Sequence, residues 1–277
     1  MRDVQTIYGI DFSGAKDAGN KIWIAKSVPW DGGLLIKECF RARDLPNSGK
    51  QLESCLPSLV NLIKPNRNAA FGFDFPFGLP ASLVEQNTWE GFVLKFPSLY
   101  GSREDFQEKC TSKAVQITGG CQKELKRKTD EAAKTPFSPY NLKIYKQTYY
   151  GIKKIIYPIV HNELACIQPM QESMDGKPLV LEICPASTLK RLHAYLPYKG
   201  RDETRRENRR KILNVIEGSC PAEIEQDEIT HKIIEDNGGD ALDSVIAAMA
   251  TFNAIQNEDD LIPDDNGFWK IEGYVYV

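Results

Sequence analysis

The sequence predicts an α/β fold built around one mixed sheet. Two patterns lead to this prediction: short apolar runs bounded by turn residues, which are typical of strands, and longer segments whose apolar residues recur at helical spacing. The 277 residues are enough for one large α/β domain, or for a core domain that carries an insertion.

The N-terminal part of the chain supplies four predicted strands and one helix. Residues 4–12, 21–28 and 34–41 form three successive strands with short links, which favours an antiparallel meander. Residues 48–63 carry apolar side chains at helical spacing, and a fourth strand ends at Asp74.

The remaining chain is predicted to be mainly helical. A mostly helical insertion covers about residues 81–170, a fifth strand covers 179–183, and residues 269–277 form an edge strand or a tail packed on the body. Further helices are expected at about 187–195, 203–217, 222–236 and 240–256. The order βββαβ…βα is that of an RNase H-like mixed five-stranded sheet with helices on both faces. We therefore expect a single RNase H-like domain over residues 1–277.

Composition excludes several classes of protein. No stretch approaches the roughly 20 apolar residues that span a bilayer, and the N-terminus runs straight into a strand, so we expect a cytoplasmic protein with no membrane partner. The seven cysteines include no Cys-x-x-Cys pair, and the three histidines are scattered, which argues against a disulfide framework and a zinc site. A net charge of −3 gives no overall nucleic-acid signature.

Carboxylates stand at the ends of three predicted core strands. The apolar runs 7–11, 69–74 and 179–182 end on Asp11, Asp74 and Glu182. Because an unpaired buried charge is costly, these side chains need partners, and one divalent cation would serve several of them at once. Ser13 and Gly14 follow Asp11, and residues this small are expected to let a metal or substrate approach the backbone.

Two more carboxylates lie on the apolar helix near the C-terminus. Asp240 and Asp243 share one face, which continues with small side chains that would let the helix approach the sheet closely. Asp240 follows two glycines and can equally be the N-cap, whereas Asp243 lies one turn further, where capping does not explain it. The predicted ligands of Mg²⁺ or Mn²⁺ are Asp11, Asp74, Glu182, Asp240 and Asp243.

Four motifs together resemble a known family. Residues 9–15, 71–80, 181–186 and 239–244 look like the motifs of the domain-of-unknown-function 429 family, whose members are described as predicted nucleases with an RNase H-like fold. The resemblance runs from about residue 7 to residue 255. It implies an acidic site made of Asp11, Asp74, Glu182 and Asp243, with Asp240 as an additional candidate.

Two pairs of charged residues are weaker candidates for substrate binding. The same resemblance draws attention to Arg127 and Asp130, an arginine–carboxylate unit able to hold a phosphate or another ligand, although a solvated helix face is the alternative. Arg205 and Arg209 lie one helical turn apart in a basic run, which is typical of phosphate contacts but also of an ordinary solvated face.

These patterns lead to one functional hypothesis and two alternatives. The hypothesis is a metal-dependent nuclease or related phosphodiesterase that hydrolyses DNA or RNA by a two-metal mechanism, with Asp11, Asp74, Glu182 and Asp243 as catalytic residues. The first alternative is an actin-like-fold nucleotide-binding or phosphotransfer protein, because residues 9–14 resemble the first phosphate loop of those proteins, although the sequence holds no second copy of the domain. The second alternative is a non-catalytic binding module on the same fold.

Overall fold

The computed structural model describes residues 4–30, 32–219, 222–256, 261, 263 and 267–277. The strands are β1 Thr6–Asp11, β2 Trp23–Trp30, β3 Gly33–Arg41, β4 Ala69–Asp74, β5 Cys166–Ile167, β6 Leu179–Ile183, β7 Ala222–Ile224 and β8 Val275–Tyr276. The helices are α1 Leu52–Ile63, α2 Trp89–Leu99, α3 Arg103–Ile117, α4 Lys128–Ala132, α5 Tyr145–Gly151, α6 Tyr157–His161, α7 Pro185–Arg191, α8 Glu203–Ser219, α9 Asp227–Glu235, α10 Asp240–Gln256 and α11 Trp269–Glu272. A turn of π-helix joins α5 to α6.

All eight strands belong to one mixed sheet in the order β5-β6-β4-β1-β2-β3-β7, with β8 also paired to β6. Strands β1, β2 and β3 form an antiparallel meander, while β4 lies parallel to β1 and β6 parallel to β4. These five strands form the mixed five-stranded sheet that the sequence predicts. The short strands β5, β7 and β8 extend it, and segments of two or three residues are too short to show a strand period in the sequence.

One predicted helix begins later than expected. Of residues 222–236, the first three form β7, which pairs in parallel with β3, and α9 starts only at Asp227. The tertiary pairing with β3 therefore overrides the helical pattern at this end. No helix in the described part of the chain is long and apolar enough to cross a membrane.

The sheet separates two apolar layers, as predicted. Side chains of Ile7, Ala70 and Leu181 point to the layer that contains α8, α9 and α10. Those of Ile10 and Phe73 point to the other layer, which contains α1 and the helices of the insertion. Because side chains alternate along a strand, the parity of each residue fixes the layer that it faces.

Helix α10 lies directly against the two central strands. Gly9 and Gly72 are paired in β1 and β4. A Cβ at Gly9 would lie 2.0 Å from the Ser244 carbonyl oxygen, and one at Gly72 would lie 1.9 Å from Thr251 Oγ1. Both distances are far below van der Waals contact, so the prediction of a close approach through small residues is confirmed, and it brings the start of α10 to the end of β1.

Candidate metal-binding acidic site

Asp11 and Asp74 lie side by side at the ends of two parallel strands. They are register partners in β1 and β4, and neighbouring strands run about 4.8 Å apart. Their position two residues after Gly9 and Gly72 turns both side chains to the α10 face of the sheet. Asp11 is only 7% exposed. The structure therefore brings these two predicted site residues together.

The first turn of α10 brings two further carboxylates to the same place. Asp236 accepts the backbone N–H groups of Asp240 at 2.8 Å and of Ala241 at 3.1 Å, so Asp236 caps the helix. The Asp240 carboxylate is therefore not used as the cap, which removes the alternative interpretation of that residue. Asp243 is 2% exposed and lies one turn further along the helix.

Two residues that sequence analysis did not identify hold Asp243 from the other side. Lys199 Nζ lies 2.7 Å from Asp243 Oδ2 and 3.5 Å from Asp240 Oδ1. The Tyr198 hydroxyl donates to Asp243 Oδ1 at 2.6 Å. Both oxygens of Asp243 are thus engaged. Tyr198 and Lys199 stand in an irregular segment between α7 and α8, and their spacing from Asp243 carries no local signal.

The Asp11 and Asp74 carboxylates, in contrast, have no close partner in the part of the chain that the structure describes. Among the residues that the structure describes, none donates a hydrogen bond to either carboxylate or forms an ion pair with it. Burial, and then the charges of Asp240 and Asp243, raise the pKa of Asp11 well above its usual range. Burial, and then Asp243, raise the pKa of Asp74 to about 8.

The same crowding acts on the other ionisable groups of the site. Burial raises the pKa of Asp240, while Lys199 acts in the opposite direction. Burial alone would lower the pKa of Lys199, but Asp243 and Asp11 outweigh it and raise the net value, so this lysine stays charged. One ammonium group therefore faces four carboxylates, and the site has a deficit of positive charge.

Glu182 points to the opposite face of the sheet from Asp11 and Asp74, although it borders the same cavity, so its role as a metal ligand stays a prediction. It pairs in register with Phe73, not Asp74, and so points to the layer of the insertion. Its Oε2 accepts from Arg127 Nη1 at 2.8 Å and from the Phe77 N–H at 2.7 Å, and its Oε1 accepts from Arg127 Nη2. Burial raises the pKa of Glu182, although Arg127 lowers it. Both carboxylate oxygens of Glu182 therefore already accept hydrogen bonds from Arg127.

Arg127 and Asp130 form a buried ion cluster with Glu182, which excludes the solvated helix face. The Arg127 side chain donates five hydrogen bonds, two to Asp130, two to Glu182 and one to the Glu272 carbonyl oxygen. A guanidinium group has five N–H donors, so none remains for a phosphate. The predicted phosphate-binding role of Arg127 and Asp130 is corrected to a structural one, since they fix the insertion to the sheet.

The two arginines of α8 also differ from their prediction. Arg209 is 1% exposed, and its side chain donates to the carbonyl oxygens of Ile234 at 2.6 Å, Tyr198 at 2.6 Å and Gly200 at 3.1 Å. Its buried guanidinium group therefore holds three backbone carbonyl groups in place and is not a phosphate ligand. Arg205 is partly exposed and lies 3.5 Å from Asp202, so its phosphate-binding role stays a prediction.

The loop after β1 shows why small residues are needed there. A Cβ at Gly14 would lie 2.5 Å from the carbonyl oxygen of Lys146 in α5. Gly14 therefore admits the insertion helix, whereas Ser13 borders the cavity beside Asp11, so the expected access of a metal or substrate to this loop stays a prediction. Ser13 accepts the Ala15 N–H at 3.3 Å.

A cavity of about 460 Å³ opens beside the four aspartates. One wall of this cavity comes from the insertion and includes Pro136, Phe137 and Ile144. This volume is typical of sites for small ligands or single groups of a larger ligand.

The donor set fits a hard divalent cation, although the site is not already closed around one. Among the described residues, no three His, Cys, Asp or Glu side chains stand close enough together to hold a metal as they are. The orphaned oxygens of Asp11 and Asp74 are the ligand type that Mg²⁺ and Mn²⁺ prefer. Asp11 is buried and Asp74 is partly buried, and both border the same cavity as Asp240 and Asp243.

Comparison with known proteins leaves the family assignment as a resemblance. No protein-family model matches the chain, and no curated protein matches it. Among solved structures, the chain is similar to the yeast mitochondrial Holliday junction resolvase Ydc2, with a TM-score of 0.38 and 10% sequence identity over 89% of this chain and 78% of that one. A similarity of this size does not establish a shared activity.

Proposed function

We propose that this protein is a hydrolase of phosphodiester bonds in nucleic acid that depends on a divalent cation. Its site is formed by Asp11 and Asp74 from the sheet and by Asp240 and Asp243 from α10. One observation carries the proposal: the Asp11 carboxylate is buried, borders the cavity and has no hydrogen-bond partner among the described residues. A protein tolerates such a group when a cation or substrate compensates it.

Each aspartate has a defined task in this proposal. Asp11 and Asp74 are held by parallel strands, so their carboxylates are fixed relative to each other and provide a rigid binding edge. Asp243 and Asp240 close the site from the first turn of α10. A divalent cation bound there would neutralise phosphate charge and lower the pKa of a bound water. Asp11 and Asp74 would orient that water, and Glu182 and Arg127 would hold the wall of the cavity in place.

The choice of nucleic acid as substrate rests on the strand order of the sheet, which is an argument from fold alone. The cavity adds a supporting feature, since Phe137 lines it together with the aspartates, and an aromatic ring can stack on a base. The described residues form one sheet. This argues against the actin-like alternative, which requires two copies of the domain.

The test is cleavage of labelled single-stranded, double-stranded and branched DNA and RNA with Mg²⁺, with Mn²⁺ and with a chelator. We expect cleavage of at least one substrate, and a loss on the order of 10²-fold or more for Asp11→Asn, because the substitution removes a carboxylate that would hold the cation. Asp17→Asn is the matched control, since that carboxylate is half-exposed and lies 3.9 Å from Lys21.

Three results would change the conclusion. Full activity in Asp11→Asn would contradict the proposed site. Cation binding without cleavage of any nucleic acid would favour the non-catalytic binding module. Stabilisation by a nucleotide in place of cleavage would favour the phosphotransfer alternative.

A further inference from the structure

Lys199 places a positive charge where the acidic site needs a cation. Its ammonium group lies 2.7 Å from Asp243 Oδ2 and 3.5 Å from Asp240 Oδ1. The charge of Lys199 also acts on Asp11 and Asp74. Lys199 thus interacts with the same four carboxylates that the proposed cation would contact.

The backbone around Lys199 is fixed. Arg209 donates to the carbonyl oxygens of Tyr198 and Gly200, on both sides of Lys199. The Gly200 N–H donates to the Asn237 carbonyl oxygen at 2.8 Å, just before α10. The segment therefore keeps its position relative to α10, and any movement of the ammonium group must come from the side chain.

The side chain itself can leave the site. It is 53% exposed, whereas the Asp243 carboxylate that it contacts is 3% exposed. Lysine has a flexible four-carbon stem and no fixed geometry of donors, so its ammonium group can turn into solvent while the backbone stays in place. Tyr198 would keep its hydrogen bond to the other oxygen of Asp243.

We propose that Lys199 is an exchangeable internal counter-ion, which holds the acidic site closed until a divalent cation displaces its ammonium group from Asp243 and Asp240. The proposal rests on the proposed function, because it assumes that a divalent cation binds these carboxylates. A second observation supports a binding site here: Asp11 is more than nine-tenths buried, borders the same cavity and accepts no hydrogen bond within the described ranges. Lys199 compensates that charge only from a distance, and a divalent cation would do so directly.

The experiment measures Mn²⁺ and Mg²⁺ binding by calorimetry in three variants and the natural protein. Lys199→Met removes the competing charge, and we expect it to bind either cation at least about fivefold more tightly, since displacement of a charged hydrogen bond is no longer required. Lys199→Arg keeps the charge and should stay near the natural affinity or below it. Lys21→Met removes a lysine that also borders the cavity but is paired with Asp17, and it should change nothing.

A second measurement needs no substitution. Amine-selective labelling followed by mass spectrometry should show faster modification of Lys199 when Mg²⁺ is added to the natural protein, because the displaced ammonium group enters solvent. The rate at Lys21 should not change. This readout does not depend on any catalytic activity, and it avoids the question of whether a variant folds.

The outcomes separate the two proposals. Equal cation affinity in the natural protein and Lys199→Met, or unchanged labelling of Lys199 upon binding, would overturn the counter-ion role and leave the proposed function in place. Binding in Lys199→Met alone would support the counter-ion role in its strongest form. Absence of binding in both proteins would overturn the proposed function and this inference together.

Discussion

Two clusters of charged side chains lie on opposite faces of the same sheet edge. They differ in how many of their charged groups have a hydrogen-bond or ion-pair partner. In the cluster of Arg127, Asp130 and Glu182, the guanidinium group uses all five donors and both carboxylates are paired. In the cluster around Asp11 and Asp74, one lysine faces four carboxylates, and two of these have no close partner among the described residues. The first arrangement is what a structural site needs, and the second is what a binding site leaves open.

The largest effect that distinguishes the two clusters is expected for Arg127→Met. The substitution leaves Asp130 and Glu182 buried without their cation, which typically costs about 3–5 kcal/mol in the free energy of unfolding. Urea unfolding followed by circular dichroism measures this loss. A loss below about 1 kcal/mol would show that the Arg127 cluster is not structural. Arg205→Met on the exposed side of α8 is the control.

The same change from carboxylate to amide should have opposite signs in the two clusters. Asp74→Asn removes a crowded charge and should stabilise the cation-free protein by about 1–3 kcal/mol at pH 8. Glu182→Gln weakens the pairing of Arg127 and should destabilise it by a similar amount. Unfolding in urea with a chelator present measures both. Destabilisation by Asp74→Asn would show that a partner stabilises the ionised Asp74 carboxylate in the folded protein.

The pH dependence of Asp74 sharpens this expectation. Its pKa is about 8 in the folded chain and about 3.9 in an unfolded one. Below pH 4 both states hold the proton, and the group has no effect. Between about pH 4 and pH 8 the unfolded state releases the proton while the folded state keeps it, so stability falls as pH rises. The advantage of Asp74→Asn should therefore grow over this range and be absent near pH 4.

The smallest expected effect is the thermal shift caused by a divalent cation. Carboxylates must be ionised to bind a cation, so binding should be stronger at pH 8 than at pH 6. We expect Mg²⁺ or Mn²⁺ at about millimolar concentration to raise the melting temperature by a few degrees at pH 8 and by less at pH 6. Differential scanning fluorimetry measures both values. The shift should persist in Glu182→Gln and disappear in Asp11→Asn. Loss of the shift in Glu182→Gln would instead indicate that Glu182 binds the cation.

The sequence alone predicts which carboxylates stand at the ends of buried strands or on a buried helix. Asp11 and Asp74 follow apolar runs whose length and composition are those of buried strands, and Asp243 lies on a helix too apolar to be exposed. These are local signals, and the parallel pairing of β1 and β4 turns them into one site.

Other features depend on tertiary register, which a single sequence does not contain. The period of two places Glu182 opposite Leu181, but only the pairing of Glu182 with Phe73 shows that this face is the one away from α10. Lys199 and Tyr198 lie in an irregular segment, where no periodicity marks their direction. The burial of Arg209 follows from the packing of α8 against the loop before it, so its basic neighbours in the sequence were misleading.

The close contact between Gly14 and Lys146 has a consequence for substrate entry. It joins the start of α5 to the end of β1, and the Arg127 cluster joins α4 to β6, so the wall that carries Phe137 is attached to the sheet on both sides. Because this wall is attached at both ends, we expect it to keep its position relative to the sheet. For the proposed nucleic-acid substrate, we expect this fixed wall to favour thin, unpaired or terminal segments over bulky ones.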